Sequence, residues 1–177
     1  MNTRFPSIAL CLPLIFACNK SSTINSEGLL LSRTKWNLTD IKSSPSIPKT
    51  VNGTTVYFSD VLDYYQGSPN SCFFSQDLTF GIEEDPNYIH GAYTFRQGAA
   101  SCAIRPDTTV SGSWFLDFNT GEQQLYLRSR EDSSVYNAIY KVTEITRDTL
   151  ILSQKAQFSG SSAIYNFSYI FTPAKAI

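Results

Sequence analysis

The sequence predicts an all-β fold, an antiparallel up-and-down barrel, with a β-sandwich as the alternative. Three observations lead there. Apolar and polar residues alternate through most of the chain beyond residue 29, turn signals separate the alternating runs, and no stretch carries the 3.6-residue apolar period of a long amphipathic helix. A period of two turns one face of each run into a core and leaves the other in water.

The chain opens with Arg4 and an apolar run from Ile8 to Ala17, interrupted by Cys11 and Pro13, which is the layout of a secretory signal peptide. The run is shorter than the roughly 20 residues of a spanning helix and contains a proline, so cleavage is expected rather than permanent insertion. Its end, Ile15-Phe16-Ala17-Cys18 followed by Asn19-Lys20-Ser21-Ser22, places a small residue just before a cysteine and a polar segment just after it. This resembles the lipobox of bacterial lipoproteins, and the resemblance implies cleavage before Cys18 and a diacylglycerol on its sulfur. A plain signal peptide with an incidental cysteine is the competing reading. The expected organisation is a signal peptide over 1–17, a lipidated cysteine and flexible polar tether over 18–28, and one barrel domain over 29–177, a size that supports a single core. Asn rather than Asp at position 19 directs the expectation to the outer membrane of a Gram-negative cell envelope.

The strands follow in order. Trp36 and Leu38 share a face against Asn37 and Thr39; Leu78, Phe80 and Ile82 alternate with Thr79 and Gly81; Trp114, Leu116 and Phe118 alternate with Phe115 and Asp117. Leu125 and Leu127, then Tyr136, Ala138, Tyr140 and Val142, then Leu150 and Leu152 continue the pattern, and Tyr165, Phe167, Tyr169 and Phe171 close it. Asn52-Gly53, Asp85-Pro86-Asn87, Asn119-Thr120-Gly121 and Thr146-Arg147-Asp148 are the turns between runs. The stretch from Asp60 to Gly67 reads as one short helical turn or an irregular connection. About seven to nine strands joined in sequence suit a barrel or a sandwich. Several runs are shorter than the roughly 9 to 11 residues of a membrane-spanning strand and carry charge on the outward face, so a barrel in the lipid is not expected.

Composition excludes some functions. The net charge is −1 and the lysines and arginines are scattered, which leaves no electrostatic footprint for nucleic acid. His90 is the only histidine, so no multi-histidine metal site is expected, and neither a metal nor a cofactor is assigned. Cys72 and Cys102 are the cysteines left to the mature domain. In an exported chain they read as a disulfide, against the alternative of two free buried thiols.

At this point the chain resembles the lipocalin-like domains of small bacterial lipoproteins. The segments that carry the resemblance are "TKWNLTDI" (34–41), "CFFSQDLTF" (72–80), "GAYTFRQGAASC" (91–102), "SGSWFLDFNTGEQQLYL" (111–127) and "YKVTEITRDTLILS" (140–153), with a terminal "YIFTP". The resemblance implies a barrel with an apolar cup. Trp36, Leu38, Phe80, Phe95, Trp114, Leu116, Tyr136, Tyr140, Tyr165 and Tyr169 are the residues expected inside it, with Trp36 near the closed end. It implies no activity, since a fold does not fix a function.

Short motifs add little. Ser32-x-x-Lys35 has the spacing of a serine–lysine nucleophile but lacks companion motifs, and Glu83-Glu84-Asp85 reads as a solvated acidic turn rather than a calcium site. No catalytic residue is assigned. Aromatic residues make up 14% of the chain and ten of them are tyrosines, rings with a polar tip that suit a cup for amphiphilic molecules. The functional expectation is a lipid-anchored, monomeric, non-catalytic binding module for a small apolar or amphiphilic ligand. The alternative is an accessory lipoprotein with a filled barrel that docks a protein or glycan on its outer surface.

Overall fold

The computed structural model of the protein describes residues 21–66, 76–83, 89–97, 108–118, 121–130, 138–158 and 160–174. The expectations for the signal peptide and Cys18, for Cys72 and Cys102, and for Tyr136 lie outside these residues. The described elements are helices α1 (Ser21–Ser32) and α2 (Val61–Tyr64) and strands β1 (Lys35–Val51), β2 (Thr54–Asp60), β3 (Gln76–Phe80), β4 (Ile89–Gln97), β5 (Thr108–Asp117), β6 (Gln124–Ser129), β7 (Ala138–Ile145), β8 (Leu150–Gln157) and β9 (Ile164–Pro173).

From β3 to β9 each strand pairs antiparallel with its sequence neighbour, and β9 returns to β1, which also pairs with β3. The result is a closed, eight-stranded up-and-down barrel. Such a barrel has an interior just wide enough to be filled by side chains or to hold one small ligand. β1 is long enough to serve two partners: Trp36 to Ser44 lie along β9, and the far half, Ile47 to Val51, leaves the ring and pairs with β2. Asn52 and Gly53 join those two strands with φ of 51° and 78°. Two successive left-handed residues match the right-handed twist of a hairpin, which is why Asn-Gly is favoured there.

Alternation holds along the strands with one adjustment. Trp36 and Leu38 point inward; a bulge between Leu38 and Asp40 then shifts the register against β9, so that Ile41 and Ser43 continue the buried face while Asp40 turns to pair with Lys42 at 2.7 Å. An extra residue in one strand is the device that keeps a carboxylate out of a core without breaking the ladder.

One end of the barrel is closed by α1, so the part of the expected tether from Ser21 to Gly28 is helical, while positions 18–20 lie outside the described residues. The polar composition of this segment gives no helical period, and what holds the helix is docking. Leu31 is fully buried, its carbonyl accepts a hydrogen bond from Trp36 Nε1 at 3.2 Å, and the Glu27 carboxylate accepts one from the Gln123 side-chain amide. Gly28 lets the helix approach: a Cβ there would lie 2.4 Å from Ile89 Cγ2. Tertiary contact of this kind overrides weak intrinsic propensity.

Above α1 the barrel is solid. Trp36, Phe80, Trp114, Leu125 and Leu150 are each at most 1% exposed, and Phe80 meets Trp114 edge to face at 5.2 Å. Trp114 Nε1 donates to the Gly81 carbonyl at 2.7 Å, so the buried indole is satisfied. Leu116 shares the face of Trp114, while Phe115 on the other face is exposed.

Candidate functional site

In the other half of the barrel, beside the first residues of β3 and β7, the second half of β4 and Leu152 near the start of β8, the interior is incompletely filled. The gap is a cavity of about 220 Å³. Its apolar wall is Leu78, Phe95, Leu127, Ala138, Leu152 and Phe171, and its polar atoms come from Gln76, Tyr93, Tyr140 and Tyr169. The alternation that builds the core also builds this wall: Leu78, Tyr93 and Phe95 are inward on β3 and β4, Leu127 on β6, Ala138 and Tyr140 on β7, Leu152 on β8, and Tyr169 and Phe171 on β9. Ala138 is the small member, and facing a small residue the long tyrosines do not fill the section.

Gly112 shapes the same region. It pairs across the strands with Tyr93, and a Cβ on it would come 2.6 Å from a Tyr93 ring carbon and 2.0 Å from the Arg128 carbonyl. A residue without a side chain lets β5 and β6 bend together and lets the Tyr93 ring lie over the strand.

The tyrosines carry the site's chemistry. Tyr140 and Tyr169 meet edge to face at 5.7 Å, and neither hydroxyl has a hydrogen bond among the described residues. The Tyr93 hydroxyl is buried and likewise without a partner. Burial, with Tyr169 and Tyr93 close by, pushes the Tyr140 hydroxyl well above the ordinary phenol range, and burial alone raises Tyr169 and Tyr93. These groups are therefore neutral at physiological pH, each able to donate one hydrogen bond and to accept. Among the described residues, none that lines it is charged.

Of the residues expected in the cup, Phe95, Tyr140 and Tyr169 line this cavity. Trp36, Leu38, Phe80, Trp114 and Leu116 lie inside the barrel as well, but in its packed half. Tyr165 is buried beside Phe158 and Phe167 near the β8–β9 turn, away from the cavity. Neither tryptophan touches the cavity, so tryptophan emission reports the packing of the closed end rather than occupancy. Leu78, Leu127, Ala138, Leu152 and Phe171, read from the sequence as strand-face residues but not as cup residues, also line the cavity, as do Tyr93 and Gln76, which the sequence reading did not single out. Tyr93 shares the parity of Phe95 within "GAYTF", a signal that could have found it.

The remaining motifs resolve structurally. Lys35 pairs with Asp77 at 2.7 Å and the Ser32 hydroxyl donates to the Leu29 carbonyl at 3.4 Å, so the two side chains are engaged apart from each other. His90 sits on the outer face, 3.6 Å from Glu83. Beside it runs a row of cross-strand neighbours, Phe115, Tyr126 and Ile139, in which Phe115 and Tyr126 stack at 4.2 Å and Ile139 is 53% exposed. Among the described residues no cluster of three or more potential metal ligands exists.

Comparison with known proteins adds no assignment: no family model matches the chain, and no curated protein matches its sequence.

Proposed function

We propose that the protein is a lipid-anchored envelope protein whose barrel is a binding cup for a small, largely apolar molecule. The observation that carries this reading is the cavity of about 220 Å³ walled by apolar side chains, with the Tyr93, Tyr140 and Tyr169 hydroxyls unpaired among the described residues. Unpaired buried hydroxyls are costly, and a site that binds nothing gains nothing from them. Pockets for small ligands have this composition, an apolar wall with a few polar groups that orient the guest. The lipobox at Cys18 supports the anchor, and export supports a Cys72–Cys102 bridge.

One experiment reads all of it: mass spectrometry of the protein purified from its own envelope, native and denatured. The denatured mass is expected to be that of a chain starting at Cys18 with acyl glycerol attached and two hydrogens missing for the disulfide. The native spectrum should show one noncovalent small-molecule adduct, absent in Ala138→Phe, whose ring fills the cavity. A wild-type mass without lipid would remove the anchor, and an adduct that survives Ala138→Phe would remove the cup.

A second reading has its own observation. The exposed row of His90, Phe115, Tyr126 and Ile139 is an apolar stripe on the outer surface, of the kind by which an accessory protein meets a partner. Phe115→Ser would weaken such docking and leave the native adduct unchanged.

A further inference from the structure

Taking the barrel as a binding cup, we infer that the part of the guest facing Tyr140 and Tyr169 is an uncharged hydrogen-bonding group, carried by a molecule about the size of one substituted ring. Three features of the cavity converge on that chemistry. The first is the absence of charge among the described residues of the wall. An ionised carboxylate or ammonium entering it would give up its hydration and find no opposite charge among Gln76, Tyr93, Tyr140 and Tyr169. A neutral hydroxyl, carbonyl or amide loses far less on leaving water and can recover it from the tyrosines.

The second feature is the pair of hydroxyls. Tyr140 and Tyr169 meet edge to face at 5.7 Å in the cavity wall, and no hydrogen bond is made to either hydroxyl among the described residues. Each hydroxyl can donate and accept, so a guest oxygen can pair with either. Because the two phenols are neutral, they discriminate by hydrogen bonding and not by charge.

The third is size. A cavity of about 150 Å³ lined by apolar side chains holds benzene. The 220 Å³ here admits one ring with a short substituent, and the aromatic walls at Phe95 and Phe171 suit the faces of such a ring. Long acyl chains exceed this volume.

Three probes that differ at one substituent separate the possibilities: toluene, benzyl alcohol and benzoate, each titrated into the full-length protein at neutral pH by calorimetry or by saturation-transfer nuclear magnetic resonance. Benzyl alcohol is expected to bind at least tenfold more tightly than benzoate and severalfold more tightly than toluene. In the double variant Tyr140→Phe with Tyr169→Phe, benzyl alcohol should fall to the affinity of toluene while toluene itself is unchanged, which also shows that the barrel still folds. Benzoate binding as tightly as benzyl alcohol would overturn the uncharged group. Toluene equal to benzyl alcohol in the wild type would overturn the hydrogen bond but leave the cup. Failure of all three to bind would overturn the cup and this inference with it.

Discussion

The two halves of this barrel are built from the same alternating strands and end differently. In the closed half, Trp36, Phe80 and Trp114 meet across the interior, the indole N–H groups have carbonyl partners, and α1 covers the end. In the hollow half, Tyr140 and Tyr169 line the cavity with small Ala138, and their hydroxyls are unpaired among the described residues. Side chains of equal bulk thus give a core where glycines and indoles interlock and a cavity where they do not. Stability is expected to reside in the first half and recognition in the second.

The largest effect that could break this contrast comes from Trp36→Ala. Truncating a fully packed indole typically costs about 3 to 5 kcal/mol. The urea midpoint should drop steeply, and a drop worth less than about 1 kcal/mol would mean that the closed half is not the stabilising one.

Gly91→Ala probes the same half more gently. A Cβ at Gly91 would lie 2.0 Å from the Gly81 carbonyl oxygen, the atom that accepts from Trp114 Nε1. Either the backbone shifts or the indole loses its partner, and overpacking of this kind costs about 1 to 3 kcal/mol. A red shift of the tryptophan emission should accompany the loss of stability. Unchanged emission and unchanged stability would show that this junction yields more readily than its geometry implies.

The smallest effect belongs to the hollow half. Tyr140→Phe removes a hydroxyl that has no partner among the described residues, so at pH 7 the unfolding free energy should change by less than about 1 kcal/mol. At alkaline pH the sign is definite. Burial raises the folded-state values of Tyr140 and Tyr169 above the ordinary phenol value of 10.0, so the folded protein keeps these protons more tightly than the unfolded chain. Their contribution is fully present below about pH 10 and is lost as the pH climbs from there toward the folded values. Tyr140→Phe should flatten the fall of stability above pH 10, as read by denaturant titrations at successive pH values. Identical slopes in wild type and variant would show that Tyr140 ionises in the folded protein as freely as in the unfolded one.

Much of the fold could be read from residues alone because it rests on local pattern. Trp114, Leu116 and Phe115 take the faces that alternation assigns, Asn52-Gly53 makes the expected hairpin turn, and the short helical turn falls at Val61–Tyr64. Three things were not legible, each because it depends on residues distant in sequence. α1 is held by Gly28 against Ile89 and by Leu31 against Trp36, while its own composition suggests a tether. The bulge at Thr39 reverses parity within β1, so that Ile41 rather than Asp40 faces inward. The cavity's position follows from the summed volumes of side chains on β3, β4, β6, β7, β8 and β9, and no single strand announces that Ala138 faces long neighbours. Tyrosine abundance indicated the kind of cup but could not separate Tyr140 and Tyr169, which line it, from Tyr165, which packs elsewhere.

The helix across the closed end also gives the molecule a direction. It begins at Ser21, three positions after Cys18, and it docks on the end of the barrel opposite the cavity. On the proposed reading of Cys18 as lipid-bearing, acyl chains there would seat the packed end against the membrane surface and aim the proposed cup toward the aqueous space beyond it. A guest would arrive from solution rather than by sliding out of the bilayer, and its capture would depend on its concentration in that compartment rather than on its solubility in lipid.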